Sequence, residues 1–315
     1  MIFIINLQQI VMLYHLGKHS SISKGVHSTM KSTFDKSQED KSLINAFQIF
    51  TKAPQRATKS KITDLEASKV KTWLKSNNVY LCAHSGYIFN LCSDIDTDDG
   101  KEHYGVEMVV DDMKTIDKMG GGGAVIHVGK HKTMAYEDGE LLMLLFIVRI
   151  LELTKDCKAN LILETSTGQG TEMCVKVEQM GSFYKRFLKY CDDNNKKTLK
   201  KKLKFCIDTC HIFNAGYDIS TTKGANDYIK LFDKHIGWNN VVLIHLNDSK
   251  NKCGAKLDRH ENIGEGFITD KGKDTSGFAT FIKHCAKTNK PMILETPNVK
   301  KGKLDEFILL HKLLA

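Results

Sequence analysis

Short apolar runs recur along the chain, with longer amphipathic stretches between them. The runs are Val11 to His15, Ala46 to Phe50, Val79 to His84, Ala124 to His127, Leu161 to Glu164, Phe205 to Asp208, Val241 to Leu246 and Pro291 to Glu295. Each is a few residues long and largely apolar, the pattern of a parallel strand buried on both faces. The spacers Thr63 to Lys75, Leu141 to Thr154 and Leu304 to Leu314 carry helical periodicity. Eight strands alternating with helices predict an α/β fold: a closed (β/α)8 TIM barrel, a single domain over residues 11–315 behind an N-terminal extension of residues 1–10. A doubly wound sheet is the alternative, and the near-regular repeat of eight units favours closure. The glycines Gly120 to Gly123 follow a helix and precede a strand, so they read as a helix stop and turn rather than a phosphate loop.

The totals agree with this picture and narrow it. A chain of 315 residues, 41% hydrophobic, can bury a large core, and three prolines leave no Pro-rich linker to divide it. The apolar start, Met1 to Tyr14, has no basic leader or small-residue cleavage site and is too short to span a bilayer. No other run is long enough, so a soluble protein with no membrane partner is expected. The nine cysteines form no CxxC pair; Cys82, Cys92, Cys206 and Cys210 lie in or beside apolar runs, as buried reduced thiols do. A reducing intracellular compartment, cytoplasmic or nuclear, is expected, and no cysteine is assigned a catalytic or metal role. The net charge of +9 suits an anionic partner such as nucleic acid, and equally a Lys-rich solvated surface.

What ends the strands is more informative. The third run closes on His84, the fourth on His127, the fifth on Glu164 and the sixth on Asp208, with His211 three residues on. The seventh contains His245, the eighth closes on Glu295, and a polar loop after the seventh carries Asp258 and His260. An apolar barrel strand that finishes on an ionisable group presents it at the C-terminal mouth, where barrel enzymes keep their active sites. Five histidines and four carboxylates without a thiolate suit zinc or a neighbouring transition metal. Nine donors are too many for one ion and would serve three if one carboxylate bridges. Four carboxylates leave three divalent ions incompletely neutralised, and a positive, rigid pocket is what a phosphodiester requires.

At these residues the sequence resembles the endonuclease IV family of abasic-site (AP) endonucleases, from about His15 to the C-terminus. Phe205-Cys206-Ile207-Asp208-Thr209-Cys210-His211, continued by Asn214-Ala215-Gly216-Tyr217-Asp218, is similar to the family's central signature. His245-Leu246-Asn247-Asp248-Ser249-Lys250, then Asp258-Arg259-His260 and Asn262-Ile263-Gly264-Glu265-Gly266, resembles a second. Leu163-Glu164 with Gly168-Gln169-Gly170, Ile293-Leu294-Glu295-Thr296-Pro297, and His84 with Tyr87 and Asn90-Leu91 supply the others in the family's order. The chain departs from the family at Val128, where a proline is usual, at Thr167, where a small Ala or Ser is common, and at Lys204, where a glycine is common.

The resemblance implies three zinc ions. His84, His127 and Glu164 would hold the first. Glu164 would bridge to a second with Asp208, His245 and Glu295, and His211, Asp258 and His260 would hold the third. It implies hydrolysis of the phosphodiester 5′ to an abasic site in double-stranded DNA, with Glu295 and Glu164 as catalytic carboxylates and Glu295 orienting or deprotonating the attacking water. The products would be a 3′ hydroxyl and a 5′ deoxyribose phosphate, with trimming of blocked 3′ ends besides. The family inserts side chains after its second and third strands into the duplex, which points to Gln55, Arg56, Tyr87 and Ile88 as DNA contacts. Arg259, between two proposed ligands, joins them. Lys52, Lys130, Lys132 and Lys250 are further loop cations within reach of phosphates, and a monomer is expected. Two rivals remain: a sugar isomerase or epimerase on a related barrel, for which Asp258-Arg259-His260 is surplus, and a non-catalytic DNA-binding barrel, for which the whole donor set is.

Overall fold

Eight parallel strands close on one another, and the helices between them form an outer ring. The computed structural model describes residues 14–95, 100–297 and 306–315. In chain order the elements are β1 (Leu16–His19), α1 (Val26–Glu39), β2 (Ala46–Ile49), α2 (Asp64–Asn77), β3 (Tyr80–His84), α3 (Tyr104–Lys118), β4 (Gly123–Ile126), α4 (Tyr136–Leu153) and β5 (Asn160–Glu164). They continue with α5 (Val177–Asp193), β6 (Leu203–Asp208), the short α6 (Thr209–Asn214), α7 (Thr222–His235), β7 (Val241–His245), β8 (Asp248–Ser249), β9 (His260–Glu261), α8 (Ser276–Lys287), β10 (Met292–Leu294) and α9 (Glu306–Leu314). The barrel runs β1-β10-β7-β6-β5-β4-β3-β2, and β8 with β9 forms a separate antiparallel ribbon. The chain is a TIM barrel, as the alternation of runs predicts.

Strand alternation decides which residues reach the mouth. Ala46, Cys82, Val125, Ile162, Cys206, Leu243 and Ile293, one from each of seven strands, form a closed inner cluster. Their neighbours one position on, such as Phe47, Ala83, Ile126, Leu163, Ile207, Ile244 and Leu294, face outward into the layer beneath the helices. Two positions beyond the inner cluster the chain points inward again, at Gln48, His84, His127, Glu164, Asp208, His245 and Glu295. Every ionisable strand end singled out above therefore shares one parity.

The first strand differs from the expectation. Val11 to Leu13 lie outside the described residues, as does the expected extension of residues 1–10, and the strand is Leu16–His19 rather than a run ending at His15. Only Leu16 in it is a large apolar residue. Gly17 faces the interior so close to β2 that a Cβ would stand 1.6 Å from the Ala46 carbonyl oxygen. Pairing on both sides, Gly17 with Ile293 and with Ala46, holds the strand, and apolar periodicity does not.

Local signals set the other boundaries. Thr63 caps α2, its hydroxyl accepting from Glu66 N at 3.2 Å. Gly120, at φ +74°, follows the end of α3 and donates to Asp117 O, as a helix stop does. Asp208 ends β6 and caps α6 in one step, since its Oδ1 accepts from His211 N at 2.9 Å. That cap fixes His211 three residues from Asp208 on the first turn of a helix rising from the barrel mouth.

Candidate metal centre at the barrel mouth

Glu164 stands at the centre of the mouth. Its Oε2 lies 3.4 Å from His84 Nε2 and 3.7 Å from His127 Nε2, and its Oε1 lies 2.7 Å from His245 Nδ1. His245 Nδ1 is also 3.2 Å from Glu295 Oε2 and 4.0 Å from Asp208 Oδ2. On the far side His260 Nε2 lies 3.5 Å from Asp208 Oδ2, and Asp258 Oδ1 is 3.3 Å from His211 Nε2 and 3.2 Å from His260 Nε2. The β8–β9 ribbon makes the last contacts, because its pairing of Ser249 with His260 folds Asp258 and His260 back over the barrel.

These donors fall into three groups able to hold a metal ion: His84–His127–Glu164, Glu164–Asp208–His245–Glu295 and His211–Asp258–His260. Within each group the ligand atoms lie within 4.8 Å of one another. The chain thus brings together all nine residues singled out for metal binding. It does the same for Glu164–Cys206–His245 and Asp208–Cys210–His260.

The imidazoles are aimed. His84 Nδ1 meets Ser85 O at 2.8 Å and His211 Nδ1 meets Thr165 O at 2.7 Å, so each donates there and turns a bare Nε2 inward. His245 is reversed: its Nε2 donates to Gln48 Oε1 at 2.7 Å and leaves Nδ1 toward the carboxylates. The buried Nε2 atoms of His211 and His260 have no hydrogen-bond partner among the described residues, although a carboxylate oxygen faces each. Two bare nitrogens opposite an acid are the arrangement a divalent cation would complete, and mixed nitrogen and oxygen donors suit zinc.

Without a cation, protons supply the positive charge. Burial alone would lower His260, but Asp208, Asp258 and Glu295 outweigh it and lift its pKa to about 9. Against burial, Asp208, Asp258 and Glu164 raise His211 well above its usual value, and Cys206, Glu295 and Glu164 do the same for His245. Burial alone would raise Glu164, but His245, His127 and His84 hold it well below the carboxylate range.

Three further residues at the site were not read from the sequence. Gln48 joins His245 to Glu295, donating from Nε2 to Glu295 Oε1 at 2.6 Å. Asn247 donates to Asp208 Oδ2 at 2.7 Å and accepts from Glu295 N at 2.9 Å, linking the ends of β6, β7 and β10. His19 ends β1 beside Gln48 and Phe50, and burial lowers its pKa to about 4, which keeps it neutral. An inward-facing glutamine on β2 and a histidine ending a strand were the available signals; the first strand's misplacement hid the second.

Two cavities flank the donors. One, of about 720 Å³, is lined by His19, Phe50, Tyr87, His260 and Glu295 among others, and a second, of about 510 Å³, by Tyr87, Val128, Lys130, Lys132 and Thr167 among others. Tyr87 and Ile88 stand on the rim, 55% and 36% exposed. Gln55 and Arg56 are exposed on the adjoining loop, where a Cβ on Gly86 would come within 2.4 Å of Pro54 O. Arg259 and Lys250 are exposed beside the ribbon, and Lys130 lies 3.4 Å from Glu172.

Lys52 departs from the expectation. Its Nζ is bound to Asp111 at 2.8 Å, Asp112 at 2.7 Å and Met108 O at 2.9 Å, with the side chain 4% exposed, so it anchors its loop to α3 and is not offered to phosphates. Of the three departures from the family pattern, Val128 and Thr167 both line the second cavity. Lys204 sits four residues below Asp208 on β6, at the opposite end from the site, bonded to Asn240.

Fold and site together define a xylose isomerase-like TIM barrel, and residues 43–310 match that family's description. The relative named "Probable endonuclease 4" in Alkaliphilus oremlandii is 32% identical over 304 residues, 95% of this chain and 97% of its own length. One of the same name in Clostridium botulinum is 33% identical over 302 residues, covering 95% and 98%. The chain belongs to the endonuclease IV family, and it is an enzyme of the nuclease type. Among solved structures, endonuclease IV from Thermus thermophilus superposes with a TM-score of 0.71 at 21% identity over 95% of this chain and 97% of that one. A D-tagatose 3-epimerase-like protein superposes at 0.63 and 14% identity over 95% of each, a likeness of fold alone. Among the described residues no helix is long and apolar enough to cross a membrane.

Proposed function

We propose that this enzyme hydrolyses the phosphodiester 5′ to abasic sites in double-stranded DNA, leaving a 3′ hydroxyl and a 5′ deoxyribose phosphate for base excision repair. It trims blocked 3′ ends with the same centre and acts as a monomer. The observation that carries this reading is the three-part donor set, its first two parts joined through Glu164, in a chain of the endonuclease IV family. Three zinc ions would be held: by His84, His127 and Glu164; by Glu164, Asp208, His245 and Glu295; and by His211, Asp258 and His260. Zinc bound there lowers the pKa of water toward about 7 and offsets charge on the phosphate oxygens.

The remaining roles belong to the chain's own side chains. Gln48 and Asn247 fix Glu295 through its Oε1 and its backbone N–H, so the carboxylate is oriented to position the attacking water and take its proton. Glu164 sits between the first two groups and keeps them in register. Tyr87 and Ile88 enter the gap left by the missing base, where unstacking is least costly, and Gln55, Arg56 and Arg259 meet the flanking strand.

The test is a duplex carrying one tetrahydrofuran abasic analogue. The expected result is a single cut 5′ to the analogue, leaving an end that a polymerase extends. Glu295→Gln is expected to slow the cut by on the order of 10²–10⁴-fold. Cleavage elsewhere, or equal rates in the variant, would contradict the reading.

A further inference from the structure

We infer that the barrel carries a second, softer metal site directly beneath the mouth, in which Cys206 joins Glu164 and His245 to take a thiophilic divalent cation of the cadmium kind. The inference builds on the mouth being a metal centre and is independent of the reaction proposed for it.

The site follows from the barrel's stagger. Neighbouring strands of a closed barrel are offset, so residues at one level come from different distances along their strands. Cys206 lies two positions before Asp208 on β6, and its register partner on β5 is Glu164, the shared carboxylate. Both face inward, and β7 brings His245 alongside. A ligand atom from each of the three lies within 4.8 Å of the other two, and all three residues are buried to within 1%. Three donors on three adjacent strands need no loop movement to meet one ion.

Chemistry separates this site from the groups above it. Sulfur binds soft cations in preference to the hard and borderline ions that imidazole and carboxylate accept. Cys206 is a free, fully buried thiol whose S–H proton a bound cation would replace. A cation binding there displaces that proton to solvent, one per ion, and leaves a sulfur–metal bond. Because Glu164 and His245 also belong to the upper groups, an ion drawn onto Cys206 withdraws both from them. A thiophilic cation would therefore inhibit by rearranging donors rather than by simple exchange.

The test titrates metal-stripped protein with cadmium and follows sulfur-to-cadmium charge-transfer absorption, in a Cys253→Ser background that removes the exposed thiol. The band equivalent to one thiolate-bound ion is expected to disappear in Cys206→Ala and Cys206→Ser and to persist in Cys210→Ala. Zinc uptake should be unchanged in the Cys206 variants. Cadmium-113 NMR of the protein with Cys206 in place gives a reading that survives misfolding of the variants: a resonance in the thiolate-bound range is expected. Zinc uptake without a Cys206-dependent band or resonance overturns the soft site alone, as does a band that follows Cys210. Failure to take up either ion overturns the metal centre as well.

Discussion

Gln48 and His245 face each other across the barrel, with His245 Nε2 donating to Gln48 Oε1 at 2.7 Å. That one bond decides which imidazole nitrogen points at Glu164, and the same amide donates to Glu295. Gln48 is fully buried. Gln48→Ala is expected to weaken metal retention or turnover by about 10–100-fold, the usual cost of removing a partner that orients a ligand. Metal titration with a competing chelator, alongside a turnover assay, checks this. Unchanged affinity and rate would remove Gln48 from the account.

The Lys52 anchor makes a prediction about stability. Its ammonium and the Asp112 carboxylate are 4% and 1% exposed, and removing one partner leaves the other charge buried and unpaired. Lys52→Met is expected to destabilise the protein by about 3–5 kcal/mol in denaturant titration, far more than loss of a surface ion pair. Burial raises the Asp112 pKa even with Lys52 beside it. The double variant Lys52→Met with Asp112→Asn should therefore recover part of the loss. A loss below about 1 kcal/mol would show that the pair is solvated.

Stability of the metal-free protein should depend on pH through the mouth histidines. The pKa of His260 is raised from 6.5 to about 9, and His211 and His245 are also raised. A raised folded-state pKa gives stabilisation that is complete below 6.5 and is lost as pH climbs through the folded value. His19, lowered to about 4, works in a separate window: its contribution is complete above 6.5 and is lost as pH falls toward 4. Thermal melts of chelator-stripped protein are expected to show Tm falling between about pH 6.5 and 9. Zinc loading at pH 7.5 should release protons, measurable by calorimetry in buffers of different ionisation enthalpy. A flat Tm and no proton release would contradict the anionic surroundings of these groups.

Tyr87 should matter for binding and hardly at all for folding. It is 55% exposed and stands on the rim between the two cavities. Tyr87→Ala is expected to change stability by no more than about 0.5 kcal/mol. It should weaken binding of abasic duplex by about 1–3 kcal/mol, the range for one lost base–aromatic contact. Denaturant titration measures the stability change and fluorescence anisotropy with intact and abasic duplexes the binding change; equal affinity in variant and parent would take Tyr87 out of lesion recognition.

Much of this architecture is legible in sequence because two periodicities coincide. Outward-facing Phe47, Leu163 and Ile207 mark the strands, and alternation then places Glu164 and Asp208 on the opposite, inward face. The same logic fails for β1, where Gly17 and Lys18 carry no apolar signal and cross-strand pairing alone makes the strand. It also fails for β8 and β9, two residues each, which are too short for any period. Gln48, Asn247 and Lys52 went unread or misread for a different reason: what each touches depends on barrel stagger and loop packing between segments far apart in the chain. Lys52 looks like a loop cation until Asp111 and Asp112 are seen beneath it.

The nine side chains divide into three groups, two of which share Glu164, and the most direct measurement of that division is metal content. Purified protein, dialysed against metal-free buffer after zinc loading, is expected to hold about three zinc ions per chain by mass spectrometry, the number that three closed donor groups require. His260→Ala should hold about two, with the group around His211 and Asp258 emptied first. One ion or none in the parent, or an unchanged count in the variant, would contradict the division of the mouth into these three groups.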